Sequence, residues 1–128
     1  MRRSDQRRAA VVALYQQDVT GRHADELLNR DATLFTKELV EGVEVEREEL
    51  DALIEKHAEG WTLDRIAPLE RNILRVALHE LIHRTDIPDE VAIDEAIEAA
   101  KELCSAEAPK FVNGILGTVQ REHTASSR

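Results

Sequence analysis

Aromatic side chains make up only 3% of this chain, with one Trp, one Tyr and two Phe, and β-branched residues are scattered. Such a composition favours helix over sheet. There is one cysteine, Cys104, so no disulfide can form within the chain. No apolar run reaches the ~18 residues that a membrane span needs. The N-terminus has arginines but no apolar stretch behind them, unlike a secretory signal. These absences predict a cytoplasmic protein. An Arg-rich transit peptide is the competing reading, and Tyr15 with the apolar residues before it argues for core instead. The five glycines (21, 42, 60, 114 and 117) are isolated, which leaves no Gly-rich phosphate loop.

What is present is charge. Charged residues are 34% of the 128, and the formal net charge is −9. The opening "MRRSDQRR" has the opposite sign, at +3, so residues 9–128 carry −12. A length of 128 residues suits one domain with its own core.

Helical periodicity runs through nearly the whole sequence. Val11, Val12, Leu14, Tyr15 and Val19 form an apolar stripe over residues 5–19, which Gly21 ends. A short helical piece follows over 24–29. From Asp31, a predicted N-cap, Phe35, Leu39, Val43, Leu50, Leu53, Ile54 and His57 recur every three or four residues. This predicts one long helix, or two broken near Gly42, ending at Gly60. After a linker, Pro68 suits a first helical position, and the segment to Arg84 is apolar almost all round, as in a helix buried on several sides. Asp94 is a predicted cap for a helix through Leu103, and Pro109 opens the last one. No segment alternates with period two. The prediction is all-α, with about seven helices in two small bundles: residues 1–60 and 61–122, then a flexible tail over 123–128.

Chemistry is sparse. "HELIH" (79–83) has the spelling of a zinc-peptidase helix, with His79 and His83 as ligands and Glu80 as base. No third ligand follows at a recognised spacing, and Leu78, Leu81 and Ile82 mark this helix as core-packing. Cys104 reads as a small buried hydrophobe. The arginines remain. Lys and Arg attract phosphates, Arg forks onto them and stacks on bases, and a helix N-terminus favours anions. Four arginines at a helix start can grip a nucleic-acid backbone, while the −12 remainder repels it elsewhere; a solvated charged tail is the alternative.

Five stretches, "RRAAVVALYQQD" (7–18), "LVEGV" (39–43), "LERNILRVALHEL" (69–81), "IPDEVAIDEAIEAAKEL" (87–103) and "KFVNGIL" (110–116), together resemble the NusB family of bacterial transcription antitermination factors. Their order and spacing match from about Arg7 to Val119. The resemblance implies two three-helix bundles and no enzymatic activity. It implies binding of boxA RNA together with NusE, a ribosomal protein, then loading on the RNA polymerase elongation complex to support ribosomal RNA transcription. Some members form homodimers. No cofactor or metal is implied. By matching position, the resemblance places Arg2, Arg3, Arg7 and Arg8 at RNA, with Tyr15, Glu70, Lys110, Phe111 and Asn113 as further contacts. Arg75 reads more readily as an internal ion pair. His79 stands where the family often has a tyrosine, and that change alone creates "HELIH". A protein–protein module or homodimer without RNA binding is the alternative function, and a zinc peptidase a remote one.

Overall fold

The computed structural model describes residues 2–126, and among them there are helices and no strands. The seven α-helices are α1 (Arg3–Thr20), α2 (Ala24–Leu27), α3 (Leu34–Val45), α4 (Arg47–His57), α5 (Pro68–His83), α6 (Asp89–Leu103) and α7 (Ala108–Ser126). A 3-10 turn, Leu63–Arg65, sits in the linker before α5.

Two helix ends are fixed by local chemistry. Gly21 closes α1 in the left-handed region (φ 76°), where its N–H reaches the Gln17 carbonyl at 2.8 Å. Pro68 occupies the first turn of α5, where its missing N–H costs nothing.

Four sequence-based expectations shift. The cap of α3 is Thr33, not Asp31. Thr33 Oγ1 accepts from the Thr36 N–H and donates to Gln6 Oε1 at 2.6 Å, which ties the start of α3 to α1. The break between α3 and α4 falls at Glu46 (φ −100°, ψ 12°), leaving Gly42 inside α3. Helix α6 begins at Asp89, directly after Pro88. Asp94 is an exposed residue of its interior, and Asp89 and Glu90 supply the first-turn negative charge. Finally, α7 continues through His123 to Ser126, so most of the expected tail is helical; residues 127–128 of that expectation lie outside the described chain.

The core is one continuous cluster. Helix α5 runs through its centre, packing on α1 and α3 to one side and on α6 and α7 to the other. Every residue from Asn72 to Leu81 is buried, which explains its nearly all-round apolar pattern. Leu14, Leu39, Leu74, Leu78 and Leu116 are among the fully buried side chains. Four polar residues are buried on the same helix: Asn72, Arg75, His79 and Glu80. Each meets a partner from a neighbouring element, so α5 is pinned by charge as well as by apolar contact.

Asp18 of α1 is the hub of one such network. It accepts from Arg47 Nη1 at 3.0 Å, Asn72 Nδ2 at 3.0 Å and Arg75 Nη1 at 2.7 Å. Arg75 also donates to both Asp51 oxygens, at 2.7 and 3.1 Å, in the internal role the sequence favoured. Burial would raise the Asp18 carboxyl, but the hydrogen bond from Asn72, the charge of Arg75 and the bonds from Arg47 and Arg75 outweigh it, so its pKa lies below the usual carboxylate value. Asp18 to Arg75 and Arg7 to Glu80 together set α1 antiparallel to α5.

Candidate nucleic-acid interface

The start of α1 carries its arginines around the helix, and their surroundings divide them. Arg2 is largely exposed and lies 3.6 Å from Asp5, one turn on. Arg3 is exposed, with its guanidinium 4.2 Å from the centre of the Phe35 ring. Arg7 is buried. Its Nε donates to Glu80 Oε1 at 2.7 Å, and its guanidinium lies 5.2 Å from the same ring. Arg84 approaches that ring at 5.4 Å while bonding Asp86 through Nε and Nη2, each at 3.0 Å. Phe35 thus holds three guanidiniums, an arrangement its quadrupole favours.

Arg8 faces another way. It donates to Glu102 Oε2 at 2.6 Å and lies 3.9 Å from Glu95, while Ser4 Oγ donates to Glu95 at 2.8 Å. These contacts join α1 to α6. The positive charge of the opening segment is therefore largely met by carboxylates of the same fold. Arg2 and Arg3 keep their guanidiniums outermost, and Arg7 is held inside.

The remaining expected contacts gather elsewhere. Helical spacing puts Tyr15, which is half-buried, on the Arg8 face of α1, seven residues on, with exposed Val12 between them. Asp18, one turn further, bonds the first half of α5, so Tyr15 lies toward the end of the molecule that holds Glu70. There Glu70 and Phe111 line a cleft of about 280 Å³ with Trp61, Arg65, Ile66 and Ala108. A second cleft shares Trp61 and Phe111 and adds His57 and Lys110. Lys110 and Asn113 are exposed on the first turns of α7, while Phe111 is half-buried between solvent and core. Burial raises the Glu70 carboxyl above its usual range. Burial, with the nearby Glu70 charge, pushes the Cys104 thiol up to about 11.

The structure thus brings Glu70, Lys110 and Phe111 around neighbouring clefts, and sets Arg3 and Arg7 apart from them around Phe35, with Arg2 exposed beside Asp5. Arg8 and Tyr15 lie between. Sequence reasoning assigned no role to Phe35, Arg84, Trp61 or Arg65. Phe35 carried only a core periodicity, and Arg84 reaches the α1 arginines from the far end of α5. Trp61, half-exposed in a linker, was the one available signal as the chain's single tryptophan.

In "HELIH", Glu80 is bound to Arg7 and nearly inaccessible, while His79 and His83 meet Glu46 and Glu49 from the α3–α4 junction. The glutamate is thus withheld from the histidines' ligands, which is not the arrangement a zinc peptidase uses.

Helices joined by buried ion pairs, with basic and aromatic side chains at the surface, define a small all-helical protein whose distinctive features are surfaces. The NusB family profile matches residues 4–121. The chain belongs to the NusB family. It is 43% identical to the transcription antitermination protein NusB of Rubrobacter xylanophilus over 91% of this chain and 88% of that one. It is 38% identical to that of Symbiobacterium thermophilum over 94% and 90%. Among solved structures, T. maritima NusB superposes with a TM-score of 0.86 at 35% identity, covering 96% and 93% of the two chains. A chain from a crystal structure of the antitermination factors NusB and NusE with double-stranded RNA superposes at 0.83, with 31% identity and 94% and 96% coverage.

Proposed function

We propose that this chain is a transcription antitermination factor that binds boxA RNA together with NusE, loads with it onto the RNA polymerase elongation complex and supports ribosomal RNA transcription in the cytoplasm. It performs no catalysis. The observation that carries this reading is the likeness, along nearly the whole chain, to a protein crystallised with NusE and RNA. The distribution of side chains supports it. Arg2 and Arg3 offer outward guanidiniums to phosphates. Arg8 and Tyr15 continue the path along α1, and Phe111, with Lys110 and Glu70 beside its clefts, offers an aromatic edge for a base, while Asn113 is exposed further along α7 as an additional contact. On this reading residues 1–60 and 61–122 are two helical halves, and the RNA crosses the seam where Arg8 meets Glu95 and Glu102. Arg7 serves the interface from beneath by fixing α1 to α5. The −12 remainder keeps other parts of the transcript away.

The test is a gel shift with purified NusE. A mixture of the two proteins should bind boxA-containing RNA more tightly than either alone and more tightly than a scrambled RNA. Equal binding of both RNAs overturns the reading, and capture of NusE without any effect of RNA points to a protein–protein module.

A further inference from the structure

His83 ends α5 beside two glutamates from another part of the chain. Its Nε2 lies 2.7 Å from Glu49 Oε1 and 3.5 Å from Glu46 Oε1. One ligand atom from each of the three residues lies within 4.8 Å of the other two. Glu46 is the hinge between α3 and α4, and Glu49 stands three residues on, so both carboxylates reach one side of the helix start. Behind them, the buried His79 ring contacts Glu46 Oε1 through Nδ1 at 2.7 Å. That ring fits because residue 42 is glycine: a Cβ there would lie 2.2 Å from His79 Cε1. A buried imidazole therefore holds the Glu46 carboxylate, and outer partners of this kind orient metal-binding side chains.

We propose that His83, Glu46 and Glu49 form a zinc site that clips the end of α5 to the α3–α4 junction. One imidazole nitrogen and two carboxylate oxygens are donors zinc accepts, at about 2.0–2.2 Å, with water completing a tetrahedron. Ligand atoms around such an ion stand about 3.3 Å apart. The His83–Glu46 separation already matches. Glu49, which is half-exposed, has to move slightly off His83 and toward the Glu46 oxygen, which lies within 4.8 Å of its own, a change that side-chain rotation can supply. Magnesium, which prefers oxygen ligands and keeps its waters, fits poorly. This site differs from the peptidase reading of "HELIH", because its carboxylates come from α3–α4 and Glu80 takes no part.

Calorimetric titration of the full chain with zinc chloride tests the proposal, alongside thermal melts and cobalt as a spectroscopic stand-in. One ion per chain, a higher Tm with zinc and a visible cobalt band are expected. His83→Gln and Glu49→Gln change accessible side chains, so the fold should persist by circular dichroism. Each should weaken zinc binding by about tenfold or more. His57→Gln, at the separate His57–Glu122 contact, should leave it unchanged. Magnesium should give no comparable shift. Absence of saturable binding up to about 1 mM zinc, a millimolar Kd being very weak, overturns the site. So does binding that His83→Gln and Glu49→Gln leave undiminished.

Discussion

Arg7 and Glu80, separated by 73 positions in sequence, form a buried ion pair at 2.7 Å that fastens the first helix to the central one. Burial raises the Glu80 carboxyl, and the hydrogen bond and charge of Arg7 offset this only in part, so its pKa stays above the usual carboxylate value. Among the described residues the second oxygen, Oε2, has no hydrogen-bond partner. Removing one member of such a pair strands a charge, whereas replacing both with apolar residues of similar volume is often tolerated. Arg7→Ala should therefore cost about 3–5 kcal/mol in urea unfolding. Arg7→Met combined with Glu80→Leu should recover most of that loss. If Arg7→Ala unfolds with the wild-type midpoint, the pair does not hold the helices.

The outward arginines have a different signature. Arg2 and Arg3 lie outermost, whereas Arg7 and Arg8 are engaged by Glu80, Glu95 and Glu102. On single-stranded RNA each lost phosphate contact reduces the slope of log K against log salt by about 0.7. Arg2→Ala with Arg3→Ala should lower the slope by up to about 1.4 in the presence of NusE. Stability should fall by no more than about 1 kcal/mol, the worth of the exposed contact between Arg3 and the Phe35 ring. An unaltered slope would show that these two side chains never touch the backbone.

Asp18 gives the fold an acid sensitivity whose sign is set by its lowered pKa. The stabilisation it supplies is complete above the unfolded value of 3.8 and is lost as pH falls below that, toward the lower folded value. Asp18→Asn should cost about 1.5–3 kcal/mol at neutral pH, since it weakens hydrogen bonds to charged groups. The gap between wild type and variant should narrow by about pH 3, where the carboxyl protonates in the unfolded chain. Urea unfolding at the two pH values measures it, and a gap of constant size would remove Asp18 as the source.

What was legible in the sequence follows from the range of the forces involved. Gly21 and Pro68 marked helix ends correctly because each acts through its own backbone. Asp31, Asp94 and Gly42 misled because several residues could cap or break a helix, and the choice was made at a distance. Thr33 won as a cap while also bonding Gln6, Pro88 set the start of α6, and Gly42 stayed helical because the His79 ring needs its empty side. The cations of the opening segment were plain in the sequence, but their carboxylate partners were not. Glu95 and Glu102 look like any other acidic helix residues, and Glu80 stood out only as the base of "HELIH", until α5 and α6 fold against α1. The family motifs located the KFVNG segment, yet Trp61 and Arg65 join its clefts only through the linker's path.

Cys104 should be a sluggish nucleophile. Its thiol is raised to about 11 by burial and by the Glu70 charge. At about pH 8 its alkylation by iodoacetamide should be on the order of 100-fold slower than that of an exposed cysteine, because the thiolate is the reacting form. Glu70→Gln should speed the reaction by removing the lesser of the two causes. Rapid labelling of the wild-type chain would contradict this environment.

Two glycines in helices separate packing from propensity. Replacing a helical glycine by alanine ordinarily stabilises by about 0.8–1.0 kcal/mol, since alanine restricts the unfolded chain and suits the helix. At Gly114 a Cβ would meet nothing within 4 Å among the described residues, so Gly114→Ala should gain about that amount. At Gly42 a Cβ would fall 2.2, 2.6 and 2.8 Å from three atoms of the His79 ring. That ring is buried and held by Glu46, so it cannot swing aside without losing its 2.7 Å contact. Overpacking of this sort costs about 1–3 kcal/mol, enough to cancel or reverse the propensity gain. Gly42→Ala should therefore melt below Gly114→Ala, and in a His79→Ala background, where the space is empty, the change that Gly42→Ala makes in Tm should approach the change that Gly114→Ala makes in the wild type. Equal stabilisation by both single substitutions would mean that His79 does not press against α3.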